Sequence, residues 1–546
     1  AARFLGYQNP GALAEAIAGA RADLRRVFQS VLRPLSSGGE KRDRLSNLLT
    51  EEGMFESLAL AGVRDPKRAF PLLRDIYGAL SMAVHTPEQR RNLLRIHGSL
   101  LREFKGSSRP YESLRTLHRL LPALTSEDGA LERLLSHPRY ARVLLRLVSQ
   151  SEPVFQSVQQ WPSLVHDLSF GNLGGDSFRL GAPEAAGTSP DGLRRWHKRV
   201  LFVIAARDLA LGADVVESQA AHTALAEQVL ETVFERVCYD LEREGGLPEN
   251  AVSSKLCLLA LGRLGTRRMQ PRSDLDLVPV CSKEGLLPDD PERSAVLERR
   301  FVNQFTSRMT AVTRHGSLYA VDYRLRPHGA SGPPVSREGA FENYFSWESA
   351  HWWERVSYFK ARPVAGNRSL GARLLSAAWK ETSARPPAKA DFLALDGLMV
   401  RLSEKSRDME SDLKYQRGGL LNLDLIVRGL QARAGLPAGS SEEDLIPQLA
   451  GTGFLTETEA SRLMAARRFQ EALLYRLRLH FLRPAPSART PGVVADLLAR
   501  SGVDWLAPLL AASPYKIEGR DPFMGLLSAL QGHRENVSAC WRRLLE

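Results

Sequence analysis

The sequence predicts a mainly α protein with one α+β domain, and three observations lead to this fold class. Leucines recur at helical spacing through residues 93–147, and a helical pattern returns from Phe392 to the end of the chain. Between these regions lie three short apolar runs, Leu256–Leu261, Leu275–Cys281 and Leu318–Leu325, each bounded by the glycine, proline or charged residues that usually border strands. We therefore expect one sheet-containing domain flanked by helical domains.

The length of the chain predicts roughly three domains, because a typical domain has about 100–200 residues and this chain has 546. Loop-forming residues mark the boundaries: glycine and proline recur between Gly171 and Gly192, and Pro386 and Pro387 follow later. We expect a helical N-terminal domain at 1–185, the sheet-containing domain at 190–380 and a C-terminal helical bundle at 390–546.

Within the sheet-containing domain, a helix is predicted from Glu292 to Thr313, between the second and third apolar runs. A longer helical region, Gly192 to Arg243, precedes the first run and is interrupted near Gly212. Pro279 lies inside the second run. Because proline has no N–H to donate, it predicts an edge position or an early end of that strand.

Charge and cysteine usage limit the classes of partner and compartment. The net charge of +12 favours anionic partners such as nucleotides, nucleic acid or an acidic protein, although an arginine-rich helical surface facing water would give the same value. Four scattered cysteines without a C-x-x-C pair argue against a zinc ribbon and fit a reducing cytosol. No apolar stretch approaches the roughly 20 residues that span a bilayer. We therefore expect a cytoplasmic protein without a membrane segment.

Two acids in the second run carry the strongest chemical signal. Side chains alternate along a strand, so Asp274 and Asp276 should project together while Leu275 and Leu277 face the core. Two carboxylates on one face repel each other, and a hard cation such as Mg²⁺ relieves that repulsion and also binds phosphate oxygens. The D-x-D pattern alone is weak, because an acidic strand edge in water has the same letters.

Glycines strengthen this interpretation. Gly262 and Gly265 directly follow the first apolar run, and a glycine turn that opens a helix presents backbone N–H groups to a phosphate. A strand, a glycine turn, a short loop and then D-x-D is the order found in DNA polymerase beta-like nucleotidyltransferases. The expected fold is therefore a DNA polymerase beta-like nucleotidyltransferase core flanked by helical domains.

The third run supplies a third carboxylate. Asp322 should lie on a strand beside the D-x-D pair, where three carboxylates can hold the two metal ions of an in-line phosphoryl displacement. Asp274, Asp276 and Asp322 are the predicted catalytic and metal-binding residues. Arg324 and Arg326 share a face by the same alternation and either bind phosphate oxygens or neutralise the carboxylates.

Four longer segments together resemble the glutamate-ammonia ligase (glutamine synthetase) adenylyltransferase and adenylyl-removing enzyme family, in a version with a single nucleotidyltransferase domain. They are L-G-R-L-G-T-R-R-M-Q-P-R-S-D-L-D-L from Leu261, V-D-Y-R-L-R-P-H-G-A-S-G from Val321, W-E-R-V-S-Y-F-K-A-R from Trp353 and D-L-K-Y-Q-R-G-G-L-L-N-L-D-L from Asp412. The resemblance runs from about residue 60 to residue 545.

The resemblance implies an activity, a cofactor and partners. Family enzymes attach AMP from ATP to a tyrosine of glutamine synthetase, or remove it by phosphorolysis with phosphate as substrate and ADP as product. Mg²⁺ is the implied metal, and the PII signalling protein is an implied regulator. The implied nucleotide-binding residues are Gly262, Arg263, Gly265, Ser273, Arg324, Arg326, Glu354, Arg355, Lys360 and Arg362. A structural salt-bridge role remains open for the last four.

The chain also departs from the family pattern. One such domain cannot run both reactions at two sites, so the chain is half of the usual enzyme or a single-domain relative. The direction of the reaction stays open, with a slight lean from Trp353–Arg355 and Lys360–Arg362 towards AMP removal. Thr266 stands where a second glycine is common, and Asn422 replaces one of two acids, of which Asp424 remains.

Two other functions remain compatible with the sequence. One is a polymerase beta-like enzyme acting on RNA or a small molecule such as an antibiotic. The sequence shows no aromatic-basic cluster of the single-strand-binding type, so we do not expect nucleic acid as a partner. The other is a non-catalytic regulatory relative, against which all three metal-binding acids argue.

Overall fold

The computed structural model describes residues 50–106, 110–168, 189–346, 350–406, 408–439, 441–483, 494, 497–498 and 522–545. The described chain forms two compact units: residues 50–149 with 154–168, and residues 150–153 with those from 189 onwards. Residues 1–49 of the predicted N-terminal domain and residues 171–188 of the predicted boundary loop lie outside the described residues.

The first unit is helical, and its leucines form an apolar core. Leu93, Leu100, Leu114 and Leu120, which recur at helical spacing in the sequence, are almost fully buried. The helices begin and end as follows: α1 Glu51–Leu60, α2 Pro66–Met82, α3 Pro87–Gly106, α4 Pro110–Ser126, α5 Ala130–Ser136, α6 Pro138–Gln150 and α7 Glu152–Gln160, followed by the 3₁₀ turn Pro162–Asp167.

The second unit contains a small mixed sheet surrounded by helices, so the protein is mainly α with a limited β component. The central elements are α8 Pro190–Ala210, α9 Val215–Gly245, β1 Leu256–Ala260, α10 Gly262–Gly265, β2 Leu275–Cys281, α11 Pro291–Thr310, β3 Val321–Asp322, the 3₁₀ turn Gly329–Ser331, β4 Ser336–Arg337, α12 Glu338–Tyr344, α13 Trp352–Ser357, the 3₁₀ turn Tyr358–Lys360, β5 Arg362–Gly366 and α14 Arg368–Ala384. The C-terminal helices are α15 Lys389–Glu404, α16 Met409–Tyr415, α17 Leu420–Ala434, α18 Glu442–Gly451, α19 Glu457–His480 and α20 Pro522–Leu545.

The strands run in the order β3-β2-β1-β5, and β4 also pairs with β2. Strand β1 is antiparallel to β2 and β5, whereas β3 and β4 are parallel to β2. The first two predicted strands and the predicted helix α11 are confirmed. The third prediction is wrong in extent, because β3 contains only Val321 and Asp322. The backbone N–H of Arg324 donates to Asp322 Oδ1 at 2.8 Å, and this local turn ends the strand.

The prediction that Pro279 marks an edge position or an early strand end is also wrong. Strand β2 continues to Cys281 and pairs with β1 on one side and with β3 and β4 on the other. Pro279 lies opposite Leu258, and Leu261 N–H donates to Asp276 O at 2.9 Å. Hydrogen-bonded and non-hydrogen-bonded pairs alternate along an antiparallel ladder, so Pro279 falls in a non-hydrogen-bonded pair. Its nitrogen therefore points away from β1, towards the side where β3 has ended and β4 has not begun.

Both faces of the sheet are covered by apolar side chains, which fixes the direction of each acid. Leu256, Leu258, Leu275 and Leu277 pack with helices α8, α9 and α11 on one face. Val278 is among the residues that pack with α12 and α14 on the other. Because side chains alternate, Asp276 lies on the face opposite Leu275 and Leu277, as the sequence predicts.

The C-terminal helices form a second apolar cluster around α17 and α19. Helix α19 begins with a capping box, in which Thr456 Oγ1 accepts from the N–H of Glu459 at 3.2 Å and the Glu459 carboxylate accepts from the N–H of Thr456 at 2.9 Å. Leu423, Ile426, Leu445 and Leu463 are among the fully buried members of the cluster. None of the helices that the structure describes is long and apolar enough to span a membrane.

Candidate active site

Three aspartates converge at the edge where β2 and β3 meet. Asp276 and Asp322 are neighbours in the parallel β2–β3 pairing, and Asp274 lies two residues before Asp276. One carboxylate oxygen from each of the three lies within 4.8 Å of the others. Asp274 is exposed, while the other two are partly buried. The structure therefore brings together residues that lie 48 positions apart in the sequence in a geometry suited to a divalent cation.

The electrostatics of the cluster favour a cation at this position. Burial, reinforced by the charges of Asp274 and Asp322, raises the pKa of Asp276 to about 6. Within the described parts of the chain, neither Asp274 nor Asp276 has an Arg, Lys or His partner within ion-pair distance. The hydrogen bond from Arg324 lowers the pKa of Asp322. The Asp276 carboxylate is partly buried and costly to ionise, and two other carboxylates lie beside it. A hard metal ion bound by all three would stabilise their ionised forms.

The glycine turn lies directly against this cluster. A Cβ atom built on Gly262 would lie 1.8 Å from Asp276 Oδ2, and the φ of Gly262 is +54°. Only glycine permits that approach and that backbone angle together. Gly265 has a different role: a Cβ there would lie 2.5 Å from the carbonyl oxygen of Lys360, so this glycine allows close packing of two backbone segments.

Arg324 and Arg326 lie in the turn after β3 rather than on a strand, so the predicted shared face does not apply to them. The Arg324 guanidinium bonds both carboxylate oxygens of Asp322, with Nε at 3.0 and 2.8 Å. Arg326 donates to the carbonyl oxygens of Tyr323, Ala330 and Gly332 at 3.3 to 3.4 Å. Arg324 therefore neutralises a carboxylate, and Arg326 holds the following loop.

Arg263 and Ser273 contact the C-terminal helix α19. Arg263 Nη1 lies 2.8 Å from Glu471 Oε2, and Arg478 Nη1 donates to Ser273 Oγ at 3.2 Å. Both residues flank the acids in sequence but are held by side chains more than 200 positions away.

The four charged residues from the third motif divide into two pairs. Lys360 forms an ion pair with Asp424, and Arg362 donates to Leu264 O at 2.8 Å and to Gly265 O at 3.2 Å. This pair lies beside the glycine turn. Glu354 and Arg355 have local structural contacts instead. The Glu354 carboxylate accepts from the N–H of His351 at 2.9 Å, and the buried Arg355 donates to Ala350 O at 3.1 Å.

The two departures from the family pattern are both accommodated by hydrogen bonds. The Thr266 hydroxyl donates to the carbonyl oxygens of Gly262 and Arg263, each at 3.3 Å. Asn422 is buried, and its side-chain oxygen accepts from the N–H of Gly418 at 2.8 Å. Both residues therefore stabilise local backbone, one at the glycine turn and one at the start of α17.

Sequence reasoning missed four charged residues of the C-terminal helices that border the site: Glu410, Lys414, Glu471 and Arg478. Lys414 lies close enough to lower the pKa of both Asp276 and Asp322. The sequence does not single out Glu471 and Arg478, because helix α19 carries many charged residues and only the structure shows which of them are buried. Lys414 lies inside the motif that begins at Asp412, although its role there was not recognised.

Comparison with known proteins relates part of this chain to a known family. Residues 177–377 match the family described as glutamate-ammonia ligase adenylyltransferase. Similar proteins named bifunctional glutamine synthetase adenylyltransferase/adenylyl-removing enzyme occur in Caulobacter vibrioides, at 26% identity over 82% of this chain and 46% of that protein. The similar protein in Rhodopseudomonas palustris strain BisB5 is 30% identical over 70% of this chain and 40% of that protein. The one in Brucella suis biovar 1 is 25% identical over 91% of this chain and 52% of that protein.

The chain spans about half the length of the curated relatives it matches. The matched region contains the glycine turn, all three aspartates and the Trp353–Arg362 segment. Through this region the chain is similar to the glutamate-ammonia ligase adenylyltransferase family.

Proposed function

We propose that the three aspartates form the metal-dependent centre of a DNA polymerase beta-like nucleotidyltransferase. In this proposal the chain transfers AMP from ATP to a tyrosine of glutamine synthetase or removes it by phosphorolysis. The observation that carries the proposal is the convergence of Asp274, Asp276 and Asp322 beside a glycine turn. The names of the relatives support the choice of glutamine synthetase.

The same three residues would hold Mg²⁺, as a pair of ions in the two-metal arrangement. The metal would supply charge stabilisation to phosphate oxygens during the displacement. Asp276 contributes most to the cation preference, since its carboxylate is partly buried and has a raised pKa. Arg324, whose side chain is 82% exposed, can exchange its bond to Asp322 for a phosphate oxygen with little loss of buried contact.

In the forward direction, the tyrosine oxygen attacks the α-phosphorus of ATP. A new oxygen–phosphorus bond forms, the bond to pyrophosphate breaks, and the phenolic proton passes to a carboxylate or water. In the reverse direction, an oxygen of inorganic phosphate attacks the phosphorus of tyrosine-bound AMP. The tyrosine oxygen then leaves with a proton, and ADP forms. In this proposal Asp322 orients the attacking oxygen and the turn at Gly262 receives the nucleotide phosphates; the pairing of Asp322 with Asp276 and the closeness of Gly262 to Asp276 support these roles.

One incubation tests substrate and direction together. Glutamine synthetase is prepared with and without AMP on its tyrosine, and each form is incubated with this chain, Mg²⁺ and either ATP or inorganic phosphate. Gain of AMP with ATP identifies the transferase, and release of ADP with phosphate identifies the removing enzyme. Asp276→Asn serves as the inactive control. Failure of the parent chain in both arms, under conditions where a full-length relative is active, would contradict the proposal.

The remaining parts of the proposal rest on the sequence patterns and on the family resemblance. We propose domains at 1–185, 190–380 and 390–546, a cytoplasmic location and a PII signalling protein as regulator. We also propose that the glycine, serine, arginine, lysine and glutamate residues implied by the resemblance contact the nucleotide. An enzyme acting on RNA or a small molecule is less favoured, since the relatives' names specify a protein substrate. A non-catalytic role is less favoured because the acids form a compact cluster.

A further inference from the structure

The loop between the glycine turn and the D-x-D pair is held from outside by the C-terminal helices. This loop, residues 266–274, contains two non-glycine residues in the left-handed region, Arg267 with φ 57° and Arg272 with φ 61°. Such angles cost free energy and persist only where surrounding contacts impose them. Helices α16, α18 and α19 supply ion pairs and hydrogen bonds to this loop through Glu410, Glu443 and Glu471, and α9 accepts the N–H of Met269 at Thr223 Oγ1.

One side chain of α19, that of Glu471, bonds both the glycine turn and the middle of the loop that follows it. Glu471 Oε2 accepts from Arg263 Nη1 at 2.8 Å, in the glycine turn, and from Gln270 Nε2 at 2.5 Å, in the loop. A third donor is Gln219 of α9, whose Nε2 lies 3.2 Å away. A single carboxylate oxygen of α19 therefore joins α9 to the segment that contains the glycine turn and the loop.

Gln270 transmits this contact to the acids. Its N–H donates to Ser273 Oγ, and the Ser273 N–H donates to Gln270 O, each at 3.1 Å. Ser273 immediately precedes Asp274. The position of Asp274 therefore depends on a tight turn whose other end is bonded to Glu471.

Burial makes the Glu471 contact strong and hard to replace. Glu471 is only 6% exposed. Burial alone would raise its pKa, but the positive charges of Arg263 and Arg467 hold the pKa below its usual range. A buried carboxylate that keeps its charge and accepts several hydrogen bonds fixes its donors much more firmly than an exposed pair does.

We propose that Glu471 is a positioning residue for the nucleotidyltransferase site: it sets the distance between the glycine turn and the Asp274–Asp276 pair. This role rests on the proposed function, because it concerns the same three acids. On this basis helix α19 is part of the catalytic architecture, and a partner that shifts α19 would change activity through this contact.

Glu471→Gln in the full chain tests the proposal with a close isostere. Glu298→Gln is the matched control: Glu298 is equally buried and bonds Arg337 Nη2 at 3.0 Å and Ser294 Oγ at 3.0 Å, but it contacts neither the glycine turn nor the 266–274 loop. Thermal unfolding measures the stability cost of each change. Two further measurements detect positioning: affinity for Mn²⁺ alone, by calorimetry, and hydrogen–deuterium exchange of peptides covering 262–276.

We expect both variants to lose thermal stability, while only Glu471→Gln loses Mn²⁺ affinity, by about tenfold or more as residues that orient metal ligands typically do. Only Glu471→Gln should exchange faster over 262–276. Gln270→Met, which removes one donor and leaves the Glu471–Arg263 pair, should show the same changes more weakly. If Glu471→Gln does not fold, the Gln270→Met variant tests the positioning role in its place.

Equal exchange over 262–276 in the parent, Glu471→Gln and Gln270→Met would overturn the positioning role, as would Mn²⁺ affinity that falls equally in the control. If the parent binds no Mn²⁺, the proposed catalytic centre fails instead. Exchange over 262–276 then still decides whether Glu471 fixes the loop.

Discussion

Gly262 and Asp276 lie so close together that a methyl group on Gly262 would collide with the carboxylate of Asp276. The Cβ of an alanine at 262 would lie 1.8 Å from Asp276 Oδ2 and 2.8 Å from its carboxyl carbon. The backbone link from Leu261 N–H to Asp276 O, at 2.9 Å, prevents the two strands from separating to make room. The glycine turn and the acid are therefore one structural feature.

Gly262→Ala should destabilise the fold and remove activity. The positive φ alone costs about 1–2 kcal/mol, and the collision with Asp276 adds about 1–3 kcal/mol. Gly212→Ala is the matched control, because Gly212 has a φ of +67° and a Cβ added there would meet nothing within 4 Å. Urea unfolding should show the larger loss for Gly262→Ala. Equal losses in the two variants would contradict the close contact.

Asp274→Asn and Asp276→Asn should abolish AMP transfer or removal while the fold is retained. Each change removes a ligand charge but keeps the side-chain volume. Without metal, Asp276→Asn should be as stable as the parent or more stable, because burial and the charge of Asp274 disfavour its ionised form. The melting temperature in EDTA measures the stability of each variant, and turnover with Mg²⁺ measures its activity. Full turnover in either variant would place the site elsewhere.

The contribution of Asp276 to the stability of the metal-free protein should fall as pH rises from about 4 to about 6, whereas carboxyls with lowered pKa, such as Asp322 and Glu471, act in the opposite direction. The pKa of Asp276 is raised to about 6 in the folded chain. At this carboxyl the native state therefore binds more protons than the unfolded state in this window, and its contribution to the free energy of unfolding decreases with pH. Bound Mg²⁺ should oppose this decrease, so its stabilising effect should grow over the same interval. Urea midpoints with EDTA or Mg²⁺ measure both.

Asp276→Asn is the comparison for that experiment. Asp208 is also buried with a pKa raised to about 6, so the variant should retain part of the pH dependence without metal. Mg²⁺ should no longer stabilise the Asp276→Asn variant against urea. A parent whose Mg²⁺ stabilisation is unchanged between pH 5 and pH 8 would argue against metal binding at Asp276.

Tyr475→Phe should destabilise the protein more at pH 8 than at pH 5. The Tyr475 hydroxyl donates to the buried carboxylate of Asp208, and Ser218 donates to it as well. Loss of one bond to a buried charge costs about 1–3 kcal/mol. The cost should shrink below pH 6, where Asp208 becomes protonated in the folded state.

Tyr239→Phe provides the control for Tyr475→Phe, because the Tyr239 side chain is about half exposed. It should unfold at the same denaturant concentration as the parent at both pH values. If Tyr475→Phe shows the same stability difference at pH 5 and pH 8, Asp208 does not titrate in this window.

Local patterns in the sequence were sufficient for strands β1 and β2 and for the three acids, but not for the extent of β3 or for the presence of β4 and β5. The period-two alternation of Leu275, Asp276 and Leu277 predicted which side chains face the core, because strand geometry relates neighbouring residues directly. The same reasoning failed for Arg324 and Arg326. The chain leaves the strand at Asp322 through a side-chain hydrogen bond that periodicity does not contain.

By itself, the sequence determined the mainly helical fold with a small sheet and singled out the three acids, since each depends on residue type and short-range spacing. The tertiary structure alone decided that Arg263 meets Glu471, 208 positions away, and that Lys360 meets Asp424. Such pairs depend on how helices α17 and α19 pack against the elements that surround the sheet. That packing follows from the burial of many side chains together, and no local motif contains it.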